Sequence, residues 1–330
     1  MKRSILSTER FSWPLVSAVI PTRNRPVMAS RAVRCALNQT YPNVEVVVVI
    51  DGSDPETMNA LTALDESRLR IIMLSQNVGG SEARNVGVRE ATGDWVAFLD
   101  DDDEWLPAKI EKQVSVAMEM AGALSFVACQ FVDGGRYGKR VLPVLHESPR
   151  SSFSDFLLCR PSLFGGSGYV QTSTWLVSKQ LADICPFTPG LKRNQDLDWM
   201  LRAMSIPGAR FTLVMEPLSI FNSAQETGRV SKSPDWQFHY RWALDNLHYF
   251  SKKALAYFLA TTCVEDAVKQ GQRLSASVHL LYAMFRYGDV SLRCLLLFAY
   301  YFLCPENLRQ RARGAVASIR NRGRKVLPCG

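Results

Sequence analysis

Short apolar runs and longer mixed segments take turns along the first 135 residues. The runs "LVSAVIP" (15–21), "VEVVVVID" (44–51), "RIIML" (70–74), "WVAFLD" (95–100) and "SFVACQFV" (125–132) are rich in β-branched residues and nearly continuous in hydrophobicity. Such runs predict strands buried on both faces, as in a mainly parallel sheet with helices on both sides. The segments between them, 27–38, 54–66, 81–91 and 107–121, read as helices. Asn24 before Pro26, Asp54 before Pro55 and Ser81 before Glu82 are expected N-caps, short polar side chains that accept from free first-turn N–H groups. Pro107 marks the next start. The repeated strand-helix order predicts an α/β fold.

Past residue 135 the alternation loosens. "GGRYG" and "HESPRSS" are turn-rich, "FGGSGYVQTSTWLVS" (164–178) reads as a glycine loop entering a strand, and 195–205 as a helix. From about 236 the pattern is mostly helical, which predicts a main domain over 1–235 and a helical C-terminal region over 236–330.

With 330 residues, 47% hydrophobic and 21% charged, the chain can bury a sizeable core, and extensive disorder is excluded. A formal net charge of +8 predicts attraction to anions such as nucleotides or an acidic membrane. Much of the excess sits in "RQRARGAVASIRNRGRK" (309–325), without the aromatic interleaving of a nucleic-acid module, so no nucleic-acid partner is expected. Cysteines are scattered singly, with no CxxC pair and no zinc spacing, which fits a reduced, cytoplasmic compartment. "FSWPLVSAVIP" is too short for a signal peptide and serves better as a strand. "CLLLFAYYFLC" (294–304) is apolar all round yet shorter than the about 20 residues a bilayer span requires. Burial on the main domain and peripheral contact with anionic lipid are both open for it.

In a sheet of this kind ligands bind outside the carboxyl ends of the strands. The residues there are "PTRN" (21–24), "DGSD" (51–54) and "DDDD" (100–103). Adjacent carboxylates raise one another's pKa unless a cation compensates, and Mg²⁺ or Mn²⁺, with hard oxygen ligands, is an economical one. In extended backbone Asp100 and Asp102 point to one side and Asp101 and Asp103 to the other, so one pair can share a ligand. The competing reading is a solvated acidic turn that caps the next helix. Asp51 either begins a turn with Gly52 or faces a ligand, and Arg84 is either a surface arginine or part of that edge.

"VIPTRNR", "VVVVIDGSDPET", "NVGGSEARNVGVREATGDWVAFLDDDDEWLP" and "NQDLDWMLR", in this order, resemble the family 2 glycosyltransferases of the GT-A (Rossmann-like) fold, over residues 14 to about 232. The resemblance implies an inverting, metal-dependent transferase with a nucleotide-sugar donor, a UDP-sugar first and dTDP or GDP as others that would use the same contact. Asp51 would bond the base, Thr22 and Asn24 line the nucleoside pocket, and Arg84 touch base or diphosphate. Asp100 would reach ribose or metal, Asp101 adjoin the donor, and Asp102 be the metal ligand proper. Asp196, opening "DLDW", matches the catalytic base, although Gln195 and Asn194 stand where many members carry Glu or His. Asp198 would be a supporting residue. "GGSGYVQTSTWLV" resembles an acceptor-side segment, in which Gly165, Gly166 and Gly168 would permit motion and Gln171 to Ser173 bind hydroxyls; Arg229 in "GRVS" resembles a diphosphate-closing loop. Trp105 is read as packed against the fold, and the acceptor as a saccharide or lipid-linked hydroxyl. Two rivals are a non-catalytic nucleotide-sugar-binding scaffold and a nucleotidyltransferase. The second lacks a Gly-rich triphosphate loop after the first strand.

Overall fold

The computed structural model describes residues 13–120, 124–134, 140–144, 152–160, 168–222, 233–309 and 311–312. Strands β1 (Val16–Thr22), β2 (Val44–Ile50), β3 (Leu69–Met73) and β4 (Trp95–Phe98) alternate with helices α1 (Pro26–Leu37), α2 (Pro55–Thr62) and α3 (Gly80–Glu90). They lie side by side as β3-β2-β1-β4, all parallel. In β1 and β2 every residue except Pro21 and Glu45 is buried, which is why these runs show no polar alternation. Val16, Ala18 and Ile20 pack with α1 and with Ile110, Val114 and Ala117 of α4 (Lys109–Glu119). Val19, Val96 and Phe98 face the opposite way, toward Val88 of α3. Gly87 permits that approach: a Cβ there would fall 2.3 Å from Cγ1 of Val19.

Beyond β4 the sheet becomes mixed. The further strands are β5 (Glu104–Trp105), β6 (Leu124–Asp133), β7 (Arg140–Leu142), β8 (Leu176–Ser178) and β9 (Ala209–Phe221). β8 runs antiparallel between β4 and β6, β9 is parallel to β6, and β5 is antiparallel to β9 at the far edge. The sequence pattern gave no sign of β9. Pro217, unusual within a strand, is accommodated because the β6–β9 register shifts around Gln130.

Three shorter helices follow, α5 (Phe153–Leu158), α6 (Lys179–Ile184) and α7 (Gln195–Ala203). The C-terminal part is helical throughout its described length: α8 (Trp236–Asp245), α9 (Lys252–Phe258), α10 (Val264–Lys269), α11 (Arg273–Tyr287) and α12 (Leu292–Leu303). A π-type turn over Leu259–Cys263 joins α9 to α10. Trp242, Phe258, Leu280 and Tyr301 of this part share one core with Phe126, Trp175 and Trp199. The "CLLLFAYYFLC" helix is apolar all round but packed on one side only: Cys294, Leu297, Phe298 and Tyr301 are buried, while Leu292, Leu296 and Leu303 are exposed. Among the described residues no helix is long and apolar enough to cross a membrane.

Of the expected helix caps, Asp54 acts as one, accepting from the Thr57 N–H at 3.0 Å. Asn24 and Ser81 do not. α1 starts after Arg25 and α3 after Gly79, neither with a side-chain cap. Asn24 (φ 52°) and Gly79 (φ 86°) instead supply positive-φ turns that aim the two loops. The Asn24 N–H donates to Asp54 Oδ2 at 2.7 Å, tying the β1 loop to the β2 loop.

Candidate active site

The strand order turns back at β1, which has β2 on one side and β4 on the other, the switch point where such sheets form a crevice. Thr22 closes β1, and its hydroxyl donates to Asp101 Oδ2 at 2.7 Å, joining the two strand ends directly. The acidic run does not continue β4 as extended chain. It turns, with the Asp103 N–H donating to the Asp100 carbonyl at 3.0 Å.

Each carboxylate of the turn has its own surroundings. Asp103, fully buried, accepts from the Ser173 hydroxyl at 2.7 Å and from the Gln171 amide. Asp101, also buried, accepts from Thr22 and from Arg25 Nη1 at 2.7 Å. Asp100 and Asp102 keep more exposure, at 27% and 14% of the side chain. Asp100 pairs with Arg84 at 2.5 Å, and Asp102 lies 3.8 Å from Arg25. The compensating cations expected for this charge are thus partly arginines of the chain itself, with Arg31 pairing Glu104 at 3.1 Å. Burial pushes the Asp101 carboxyl above the ordinary range, and Arg25 and Thr22 pull it back.

Asp51, buried at the end of β2, accepts from the Val78 N–H at 2.7 Å and the Gly79 N–H at 3.0 Å. It fixes the loop that leads into α3 and therefore the position of Arg84. That guanidinium is buried, not a surface group. Nη2 reaches Asp100, Nη1 reaches Gln195 Oε1 at 3.1 Å, and the carbon end lies 5.5 Å from the Phe187 ring centroid.

Asp196 lies in the first turn of α7. Burial raises its pKa above the ordinary carboxylate range; the Arg84 guanidinium and the Thr172 hydroxyl lower it, and Asp100 raises it further. Asp198 is committed elsewhere. It accepts from Arg202 Nε at 2.8 Å, the Thr188 hydroxyl at 2.7 Å and Trp242 Nε1 at 3.3 Å, so it anchors α7 to α8.

Sequence reasoning missed several participants. Arg25 and Arg31 were unremarkable basic residues in a basic chain. Gln171 and Ser173, expected to face an acceptor, are buried and turned to Asp103, and Ser173 Oγ also accepts from the Asp100 N–H at 3.0 Å. Gly168 permits close contact, not motion: a Cβ there would fall 1.8 Å from the Phe156 carbonyl oxygen. Trp105 is packed as expected, donating from Nε1 to the Ser173 carbonyl at 2.6 Å. The ammonium of Lys109, fully buried, lies 4.1 Å from the Trp105 ring centroid, and burial lowers its pKa to about 8. Gly165, Gly166 and Arg229 fall outside the described residues.

The family model for "Glycosyl transferase family 2" matches residues 17–183, half of the chain, and spans β1 through most of α6. The chain belongs to glycosyl transferase family 2. This glycosyltransferase is 26% identical to the amylovoran biosynthesis glycosyltransferase AmsB of Erwinia amylovora over 68% of its own length and 75% of that protein. It is 29% identical to the putative colanic acid biosynthesis glycosyl transferase WcaA of Escherichia coli K12, over 73% and 85%. Its fold resembles that of S. aureus TarS 1–349 in complex with UDP-GlcNAc, with a TM-score of 0.61 at 17% identity over 95% and 93% of the two chains. The mannosyltransferase PcManGT of Pyrobaculum calidifontis, in complex with GDP-Man and Mn²⁺, gives 0.51 at 18% identity over 96% and 89%. At such identities these likenesses establish the fold, a GT-A α/β sheet followed by helices.

Proposed function

We propose that this family 2 glycosyltransferase moves one sugar, with inversion, from a UDP-sugar to a hydroxyl of a saccharide or lipid-linked acceptor in surface polysaccharide synthesis. The observation that carries the reading is Arg84, which spans from Asp100 at the strand edge to the α7 turn that bears Asp196. A donor-side carboxylate and a candidate base are thereby held as one unit. Relatives point the same way: a UDP-Glc:alpha-D-GlcNAc-diphosphoundecaprenol beta-1,3-glucosyltransferase, WfgD of Escherichia coli, is 33% identical over 32% of this chain. Residues 1–235 would form the catalytic domain and 236–330 the helical region, with the enzyme working at the cytoplasmic face of a membrane.

In this reading the base moiety of the donor lies by Asp51, Thr22 and Asn24, and the diphosphate by Asp100 and Arg84. Asp101 acts at one remove, holding Arg25 and Thr22 in place. Asp100 and Asp102 suit a divalent cation: both are hard oxygen donors with exposed surface, and Mg²⁺ or Mn²⁺ commonly takes only one or two protein carboxylates beside diphosphate oxygens. Among the described residues no group of three or more His, Cys, Asp or Glu could form an all-protein cage, so the diphosphate would complete the set. Bound there, the ion supplies Lewis-acid stabilisation of charge on the departing diphosphate.

Asp196 accepts the proton of the attacking acceptor hydroxyl. That oxygen forms its bond to the anomeric carbon as the bond to the diphosphate oxygen breaks, and the electron pair leaves with the diphosphate. A single displacement inverts the anomeric centre. The Arg84 charge opposes the rise that burial imposes on the Asp196 pKa, favouring the ionised form that a base requires.

The test is transfer from UDP-sugars to model acceptors, with the anomeric configuration of the product read by NMR. Inverted product, lost by about 10²–10⁴-fold in Asp196→Asn while UDP binding persists, supports the reading. Retained configuration, or full activity in Asp196→Asn, contradicts it. Nucleotide binding with neither transfer nor donor hydrolysis would make the protein a scaffold.

A further inference from the structure

The outer face of the α11–α12 hairpin is apolar, and it lies opposite the face these helices bury. Leu274, Val278, Tyr282 and Phe285 recur at helical spacing along α11, and Leu292, Leu296 and Leu303 along α12, each 49–74% exposed. Their inner faces bury Ala276, Leu280, Ala283 and Met284, and Cys294, Leu297, Phe298 and Tyr301. The Arg273 guanidinium lies 5.8 Å from the Phe302 ring centroid, so the start of one helix meets the end of the other and the hairpin is antiparallel. Large apolar side chains gathered in this way mark an interaction surface.

The charges around the face indicate which partner it meets. Arg273, Arg286 and Arg293 are exposed on the same two helices, with Asp289 and Glu306 as the nearby exposed acids. Arg309 is buried and paired with Glu265, but the sequence after it carries Arg311, Arg313, Arg320, Arg322, Arg324 and Lys325 and no acidic residue. A second copy seated on this face across a twofold axis would set arginine against arginine. An anionic bilayer presents the complementary charge and an apolar layer beneath it, and Tyr282 has the amphipathic ring suited to the boundary between them.

We infer that the α11–α12 face docks on an anionic bilayer surface, with the apolar stripes entering the headgroup boundary and the arginines meeting lipid phosphates. This deepens the proposed function by naming the surface that would bring the enzyme to a lipid-borne acceptor. It stands on residues separate from those of the reaction.

The experiment is co-sedimentation of the full chain with phosphatidylcholine vesicles with and without 30% phosphatidylglycerol, at about 0.1 and 0.5 M salt. The expected result is at least about tenfold stronger partitioning onto anionic vesicles, weakened by salt. The triple variant Val278→Glu, Phe285→Glu, Leu296→Glu should lose it by a similar factor while keeping its melting temperature. Arg286→Gln with Arg293→Gln, changing exposed charge alone, should weaken anionic binding by about five- to thirtyfold. No vesicle binding by the wild type, indifference to lipid charge, undiminished binding by the triple variant, or a dimer that this variant disperses would each overturn the inference. Vesicle binding without sugar transfer would sink the proposed reaction and leave the docking face standing; transfer without vesicle binding would do the reverse.

Discussion

The Arg84 guanidinium donates to Asp100 at 2.5 Å from one nitrogen and to Gln195 at 3.1 Å from another. These partners lie on segments far apart in sequence, one leaving β4 and one opening α7. Arg84 therefore ties the turn that bears Asp196 to the acidic run, and its charge opposes the rise that burial imposes on the Asp196 pKa.

Removing this group should cost both stability and activity. Its side chain is only 9% exposed, so Arg84→Met leaves Asp100 without its cation and is expected to lower unfolding free energy by about 3 kcal/mol in urea titrations. Arg84→Lys should restore little, because one ammonium does not reproduce two separately directed N–H contacts. A lysine variant with wild-type stability would contradict this account.

The pH dependence follows from Asp196. Burial and Asp100 favour its protonated form, whereas Arg84 opposes them. A base must be deprotonated, so kcat/KM should fall as pH drops through a value above the ordinary carboxylate range. In Arg84→Gln the opposing charge is gone and the acid limb should move to still higher pH. Movement to lower pH would show that Arg84 does not act on Asp196.

Much of this arrangement was legible in the sequence and some was not, for physical reasons. Strands buried on both faces need unbroken apolar runs, so β1, β2 and β4 stood out, and with them the edge where Thr22, Asp51 and the acidic turn gather; β3, expected to be buried in the same way, is an edge strand with Arg70 and Met73 exposed. Asn24 and Ser81 were misread as caps because the positive φ at Asn24, and at Gly79 where α3 begins, is a property of the closed loop. β9 was hidden by Pro217, tolerated only where the register shifts. Arg25, Ser173 and Gln171 act through contacts with residues 68 to 76 positions away, which no local pattern announces.

Two glycines are predicted to resist substitution. Gly87→Ala would press a methyl group into Val19, and Gly168→Ala would press one into the Phe156 carbonyl. Each should cost about 1–3 kcal/mol, measured by urea unfolding. Gly190→Ala, with no atom within 4 Å of the added Cβ, would strain only its own turn (φ 73°) and serves as the milder comparison.

Lys109 gives a prediction at alkaline pH. Its folded pKa of about 8 is below the usual 10.5, so the unfolded chain holds this proton more tightly. The charge therefore costs stability below pH 8, and that cost fades as pH rises toward 10.5. The stability difference between Lys109→Met and wild type should move by on the order of 3 kcal/mol in favour of wild type across this window. A pH-independent difference would show that the buried amine does not titrate there.

In the proposed function the edge formed by Asp51, Asp100 and Asp102 binds a nucleoside diphosphate together with a divalent cation. Thermal melting with UDP tests it most directly, with Mn²⁺ or with EDTA, in wild type and Asp102→Asn. Saturation at about 100 Kd should add roughly 2.7 kcal/mol to the native state, seen as a raised melting temperature. The rise is expected for wild type with Mn²⁺, and its loss with EDTA and in Asp102→Asn. An equal rise in EDTA, or one undiminished in Asp102→Asn, would contradict it.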